Sequence, residues 1–207
     1  METPDRISSL RLIGGNLALN FANTVEGTPE GEIEREHLFG YEDLVFWGHR
    51  VGFLSGEDGE RLLRKGRERP AEADAVFARA LEFRGHLYGL FRTVAEGDDP
   101  PVEDVEALRR FKCEALSRAR LVPSGDGFLW QWAVGDDLSG MLWPVAHSAT
   151  ELLTSGPFGR VKGSAGCSWV FVDESKNSSR RWCSMEECGT HAKMRRYVAR
   201  RAAKRKS

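Results

Sequence analysis

The chain has 207 residues, enough for one large domain or for a medium domain with a small companion. Hydrophobic residues make up 41% of it, which allows a packed core and argues against wholesale disorder. No run approaches the ~18 consecutive apolar residues of a membrane-spanning helix. The opening METPDRISSLRLIGG interleaves Glu2, Asp5, Arg6 and Arg11, unlike a secretory leader with a basic start and an unbroken apolar run. The expected location is therefore a reducing cytoplasm, without disulfides and without membrane partners. The net charge of -1 conceals an asymmetry. From Arg160 onward 13 Lys+Arg face 4 Asp+Glu, a local net of +9, against -10 for the residues before it. Such a segment is either solvated surface or a site for a polyanion, and charge alone does not choose between them.

In chain order, LIGGNLALNFANTV (12–25) alternates Leu17, Leu19 and Phe21 with smaller residues, which predicts a short strand or buried extended segment. Asn20 and Asn23 inside it are expected to hydrogen-bond the backbone. EGTPEGEIERE (26–36) is acidic and contains Gly and Pro, hence a loop. Leu44, Phe46, Trp47, Val51 and Leu54 predict a helix from about Tyr41, ended by Gly52 and Gly56, and a second helix follows to about Glu68. The clearest helix covers 71–95, with Val76, Ala80, Leu81, Phe83, Leu87, Leu90, Phe91 and Val94 at three-and-four spacing. Another covers about 102–119. RLVPSGDGFLWQWAV predicts a hairpin that turns at Ser124–Gly127 and puts Phe128, Trp130 and Trp132 on one face. A last helix, 139–154, ends near Ser155-Gly156-Pro157, the strongest boundary signal in the chain.

His86 and His147 stand alone in their helices, and the six tryptophans fit a core better than a cofactor box. No G-x-S-x-G, H-E-x-x-H, Walker A or G-x-G-x-x-G pattern is present, and no nucleophile–base pair is visible, so catalysis is not expected.

Three of the four cysteines, Cys167, Cys183 and Cys188, fall within 22 residues, and His191 follows as C-x15-C-x4-C-x2-H. Thiolates and imidazole bind Zn²⁺ tetrahedrally, and four such ligands close the sphere, so one structural Zn²⁺ per chain is expected. The metal would stabilise a segment too short for a core of its own. Trp169–Asp173 reads as one strand, Glu174–Ser179 as a turn and Arg180–Cys183 as the returning strand. Gly189 suits a left-handed position in a tight loop. A helix is expected from about Thr190. At 100° per residue, His191, Met194, Val198 and Ala202 fall in one arc of about 80°, and Lys193, Arg196, Arg200 and Lys204 in an opposite arc of about 80°. A metal-anchored helix with a cationic face suits a DNA groove or backbone, with Arg180 and Arg181 extending the same surface. Cys113, mid-helix elsewhere, is expected to be a buried small hydrophobe.

The stretches Cys167–Asp173, Ser175–Met185, Cys188-Gly189 and Ala192–Tyr197 resemble the CGNR zinc finger. GGNLALNFANTV and LWPVAHSATELL are similar to the helical domain that usually precedes that finger in a family described as bacterial stress-induced transcription regulators. Two departures stand out. Cys-Gly-Asn-Arg reads Cys188-Gly189-Thr190-His191 here, and the family's additional Cys before the one matching Cys167 is missing from Lys162–Gly166. Whether His191 replaces that ligand stays open. The expected fold is α+β. A mainly helical domain over 1–157 carries a short strand and a hairpin, and a zinc-bound hairpin plus helix occupies 158–207. The resemblance implies a zinc-dependent regulator that binds double-stranded DNA, with the helical domain sensing a small-molecule effector, forming a homodimer, or both. The alternative is a protein-interaction adaptor in which the finger is only a scaffold.

Overall fold

The computed structural model describes residues 2–29, 31–190, 193, 194 and 197. Its organising element is a 27-residue helix, Pro70–Glu96. Pro70 opens it at a position that needs no N–H donor. Gly97, at φ 87°, ends it in the left-handed conformation, where the Gly97 and Asp98 amides take up the carbonyls of Val94 and Thr93. Counting from the N-terminus, the helices are α1 (Asp5–Ser8), α2 (Leu17–Ala22), α3 (Tyr41–Arg50), α4 (Gly56–Glu68), α5 (Pro70–Glu96), α6 (Val102–Ser117) and α7 (Leu142–Thr154). Helices α2, α3, α4 and α6 all pack on α5, and α7 lies against α2 and α6. The three-and-four spacing of α5 puts Phe83, Leu87, Leu90 and Phe91 wholly inside, each burial contributing about 1.5–3 kcal/mol. Phe83 stacks on Phe111 of α6 with ring centroids 3.9 Å apart.

Among the described residues, three two-stranded antiparallel pairs decorate this bundle: β1 (Val25–Gly27) with β2 (Ile33–Glu36), β3 (Ala119–Ser124) with β4 (Gly127–Trp132), and β5 (Val161–Gly163) with β6 (Val170–Val172). The expected hairpin is β3–β4. Gly125 takes φ 57° at its turn, and the register places Leu121 opposite Trp130 and Ala119 opposite Trp132. Only the base of its apolar face is covered. Trp132 donates from Nε1 to the Ala115 carbonyl at 2.7 Å, while Phe128 and Trp130 are exposed.

Several sequence expectations are corrected. Residues 17–22 are helical rather than extended. Asn16 caps α2 by accepting from the Ala18 amide at 2.8 Å, and such a cap fixes a short helix that apolar alternation cannot reveal. The acidic loop of 26–36 contains the β1–β2 hairpin. Arg84 of α5 holds Glu36 of β2 with its two terminal guanidinium nitrogens, at 2.7 and 2.5 Å, and Glu36 also accepts the amides of His37 and Leu38. Cys113 is exposed. His86 and His147 are engaged locally, the first with Asp104 at 2.7 Å and the second with Lys112 and the Trp132 ring.

The buried core crosses the Ser155–Pro157 segment. Strand β5 packs on α5, and Val161, Val170 and Val172 belong to the same apolar cluster as the helices. Strand β6 is buried on both faces. Val170 and Val172 enter the helical core, whereas Phe171, with the neighbouring Trp169, enters a second small cluster around Cys183. That explains the continuous apolar run Trp169–Val172, which a strand with one wet face would not carry.

Candidate metal centre and basic surface

The outer edge of β6 is closed by the segment around α2. The Asn23 side chain donates from Nδ2 to the Val170 carbonyl at 2.8 Å and accepts the Val170 amide at 3.0 Å, both buried. The Val172 amide donates to Gly14 O at 2.9 Å, the Ser168 amide to Gly27 O at 2.9 Å, and the Trp169 indole to Val25 O at 2.9 Å. Asn20 accepts the Gly14 amide, which fixes the strap. Both asparagines therefore bond to backbone, as their position in the sequence suggests.

On the opposite side of β6 the loops converge on three sulfurs. Cys167, Cys183 and Cys188 are free thiols whose Sγ atoms all lie within 4.8 Å of one another. Two of the separations, Cys167–Cys183 and Cys183–Cys188, are 3.4 Å. A disulfide would bring sulfurs to about 2.05 Å. Four Zn–S bonds of about 2.3 Å in a tetrahedron would put them about 3.8 Å apart. The triangle is thus the size of one face of a metal tetrahedron, and its three soft donors suit Zn²⁺. Ionisation is divided unequally among them. The hydrogen bond from Cys183, aided by Ser164 and the Trp169 amide, brings the Cys167 thiol down to about 6 against the effect of burial. Donation to Cys167 and burial push Cys183 up, and burial with the nearby Cys167 charge raises Cys188.

Asp173 shapes the turn between the two halves of the cluster. Its buried carboxylate accepts the Ser175 and Arg180 amides, each at 2.9 Å, and the Lys162 ammonium at 2.9 Å. Burial opposes ionisation, but these bonds and that from the Ser175 hydroxyl outweigh it and hold the carboxyl well below the usual range. The residues Arg180–Cys183 do not form the expected returning strand. Strand β6 pairs instead with β5, upstream of Cys167, because the Asp173-centred turn uses the Arg180 amide that a ladder would need. Gly189 is not left-handed. It lies in a π-helical turn, Met185–Gly189, where a Cβ would come 2.9 Å from the Met185 sulfur.

The predicted cations divide into groups. Arg180 points its guanidinium inward, donating from Nε to Trp182 O at 3.0 Å and from Nη2 to Cys183 O, and lying 4.4 Å from the Phe171 ring centre. Arg181 is exposed and sits over the Trp182 ring. Lys193 is exposed. His191, Arg196, Arg200 and Lys204 lie outside the described residues. Sequence reasoning missed Ser164, Asn23's role as a clamp on β6, and Asp173. The signal for Ser164 was its two-residue spacing from Cys167.

Two family models match the chain. One, described as a putative stress-induced transcription regulator, matches residues 15–156, and the CGNR zinc finger matches residues 162–201. No curated protein matches. The first model alone spans well over half of the chain, and the second coincides with the thiol cluster, so the chain belongs to the family described as putative stress-induced transcription regulators and carries its CGNR zinc finger.

Proposed function

We propose that this protein is a zinc-dependent transcription regulator that binds double-stranded DNA through its C-terminal segment. The observation that carries the reading is a three-thiol cluster at the root of a segment with net charge +9. Cys167, Cys183 and Cys188 would hold one structural Zn²⁺ and so fix the start of the basic segment that follows. Arg181 and Lys193, together with Arg196, Arg200 and Lys204, would lie along phosphates, while Arg180 braces the loop from inside. Nothing in this role requires catalysis, and the protein is not assigned an enzymatic step.

A small effector could enter a cavity of about 280 Å³ between β1–β2 and α5. Val25, Leu81 and Tyr88 give it apolar walls, and Glu26, Arg84 and Ser168 give it polar ones. Because Ser168 precedes Trp169 of the metal-side cluster, a ligand there would touch both halves of the molecule.

The test is a salt titration of DNA binding, read by fluorescence anisotropy with and without chelator. Neutralising about four to six phosphates gives a slope of log K against log salt of roughly -4 to -5. Chelation should abolish binding. No binding of duplex DNA at low salt, with zinc bound, would defeat the reading in favour of the adaptor alternative.

A further inference from the structure

We infer that two copies of this chain pair through the free edge of β4, joining their β3–β4 hairpins into one four-stranded antiparallel sheet. The register of the hairpin decides which backbone groups are free. Its two-residue turn makes Ser124 and Gly127 a hydrogen-bonded pair, so Val122 with Leu129 and Arg120 with Gln131 are bonded pairs as well. The N–H and C=O groups of Phe128, Trp130 and Trp132 then point away from β3, and none of them has a hydrogen-bond partner among the described residues. The same alternation turns Ala119, Leu121 and Pro123 toward the outer edge of β3. Proline has no N–H, so that edge lacks a donor, and β3 also carries the charge of Arg120. Proline and charge are the usual guards of a lone edge strand. Strand β4 (GFLWQW) has neither.

A two-fold axis at Trp130 lets the open edge satisfy itself. Trp130 then exchanges hydrogen bonds with the partner's Trp130, and Phe128 with the partner's Trp132. Leu121, Pro123, Phe128, Trp130 and Trp132 share one face of the hairpin, and an axis normal to the sheet keeps that face on the same side in both copies. At its base this face already rests on its own bundle, where the Trp132 indole donates to Ala115 O. The exposed tip of one hairpin is thereby laid beside the covered base of the other. No like charges meet, because Leu129 falls opposite the partner's Gln131. Phe128 and Trp130 are 67% and 39% exposed. At about 150–250 Å² for a fully buried aromatic, they, Leu129 and the strand backbone contribute about 400 Å² per copy. The total of about 800 Å² falls short of the roughly 1,200–2,000 Å² of a standard interface, so the pair forms at micromolar rather than nanomolar concentration.

The experiment is sedimentation equilibrium of the full chain, without DNA, from about 1 to 100 µM. The average mass should rise from that of one 23.2 kDa chain toward twice that value. Trp130→Pro removes an outward N–H and an indole but spares the bonds to β3, and should weaken pairing at least about tenfold. Leu121→Pro is its control. Leu121 lies directly opposite Trp130 on the same face, and the change removes an outward N–H from the other edge. It should alter the dissociation constant by less than about threefold. Leu129→Glu combined with Gln131→Lys sets opposite charges against each other across the axis, and should pair at least about threefold more tightly than either single change at low salt. A wild type that stays monomeric at the top concentration would overturn the inference and leave the edge to a different protein. Equal effects of Trp130→Pro and Leu121→Pro, or a double variant no tighter than the single ones, would overturn it as well. Because DNA is absent, none of these results bears on the proposed function.

Discussion

Asn23→Ala tests whether the helical half and the zinc-finger half form one structure. The Asn23 amide is the sole partner shown for both backbone groups of Val170 on the open edge of β6, and Asn23 and Val170 are 1% and 0% exposed. Truncation removes two hydrogen bonds and strands a buried N–H and a buried C=O. Each such group costs about 1–3 kcal/mol, so a loss of about 3 kcal/mol is expected after partial relaxation. Asn23→Asp keeps the acceptor for the Val170 amide but turns a carboxylate oxygen toward the Val170 carbonyl, and should cost nearly as much. Asn20→Ala, at a part-buried site with one bond to Gly14, should cost only about 1 kcal/mol. Urea unfolding gives the free energies, and hydrogen exchange at the Val170 amide gives the local effect. A loss below about 0.5 kcal/mol for Asn23→Ala, with Val170 protection unchanged, would refute the clamp.

Metal uptake at pH 7 should release about two protons, because Cys167, at about 6, is already largely thiolate while Cys183 and Cys188 sit above their ordinary values. Calorimetry in buffers of different ionisation enthalpy counts them, and release of none would contradict the division of charge. Arg84→Met should destabilise by about 3 kcal/mol at pH 7 by leaving Glu36 unpaired. Burial raises the Glu36 carboxyl but Arg84 and the flanking amides lower it further, so the pair's contribution is full above about pH 4.3 and disappears as pH falls below it. Unfolding curves of the variant should therefore converge on those of the wild type in acid. Arg181→Ala should leave stability within about 0.5 kcal/mol and reduce the salt slope of DNA binding by about 0.9, whereas Arg180→Ala should destabilise the metal loop by about 1–2 kcal/mol. Equal effects of the two on the salt slope would count against the inward assignment of Arg180.

The parts legible in the sequence were those with a strong period or a strong chemical type. Helix α5 announces itself through Val76, Ala80, Phe83, Leu87 and Leu90, and the Ser124–Gly127 turn marks the β3–β4 hairpin. The thiol triangle follows from cysteine spacing because few other roles bring three free thiols together. What stayed hidden depends on single side chains bonding to distant backbone. Helix α2 exists because Asn16 caps it, and six residues are too few for a period to show. The β1–β2 hairpin lies in a run that reads as acidic loop, and it is anchored by Arg84 from 48 residues away. The pairing of β6 was assigned to the wrong neighbour because Arg180–Cys183 looks like a returning strand until Asp173 takes the Arg180 amide.

Those hidden contacts bear directly on how a metal could matter to the helical half. The two family models part between residues 156 and 162, yet the structure does not part there. Strand β6 offers one face to each cluster, so Phe171 packs by Cys183 while Val170 and Val172, one residue away on either hand, fill the helical core. A strand of three residues cannot shift one face without moving the other, since successive side chains alternate across it. The Asn23 clamp and the Gly14 bond then carry any such shift to α2, which packs on α5 and α7. The cavity lined by Val25 and Ser168 lies beside the same bonds. Under the proposed function, occupancy of the thiol cluster by a metal and occupancy of that cavity would thus act on one short strand, which joins the helical core to the cysteine cluster.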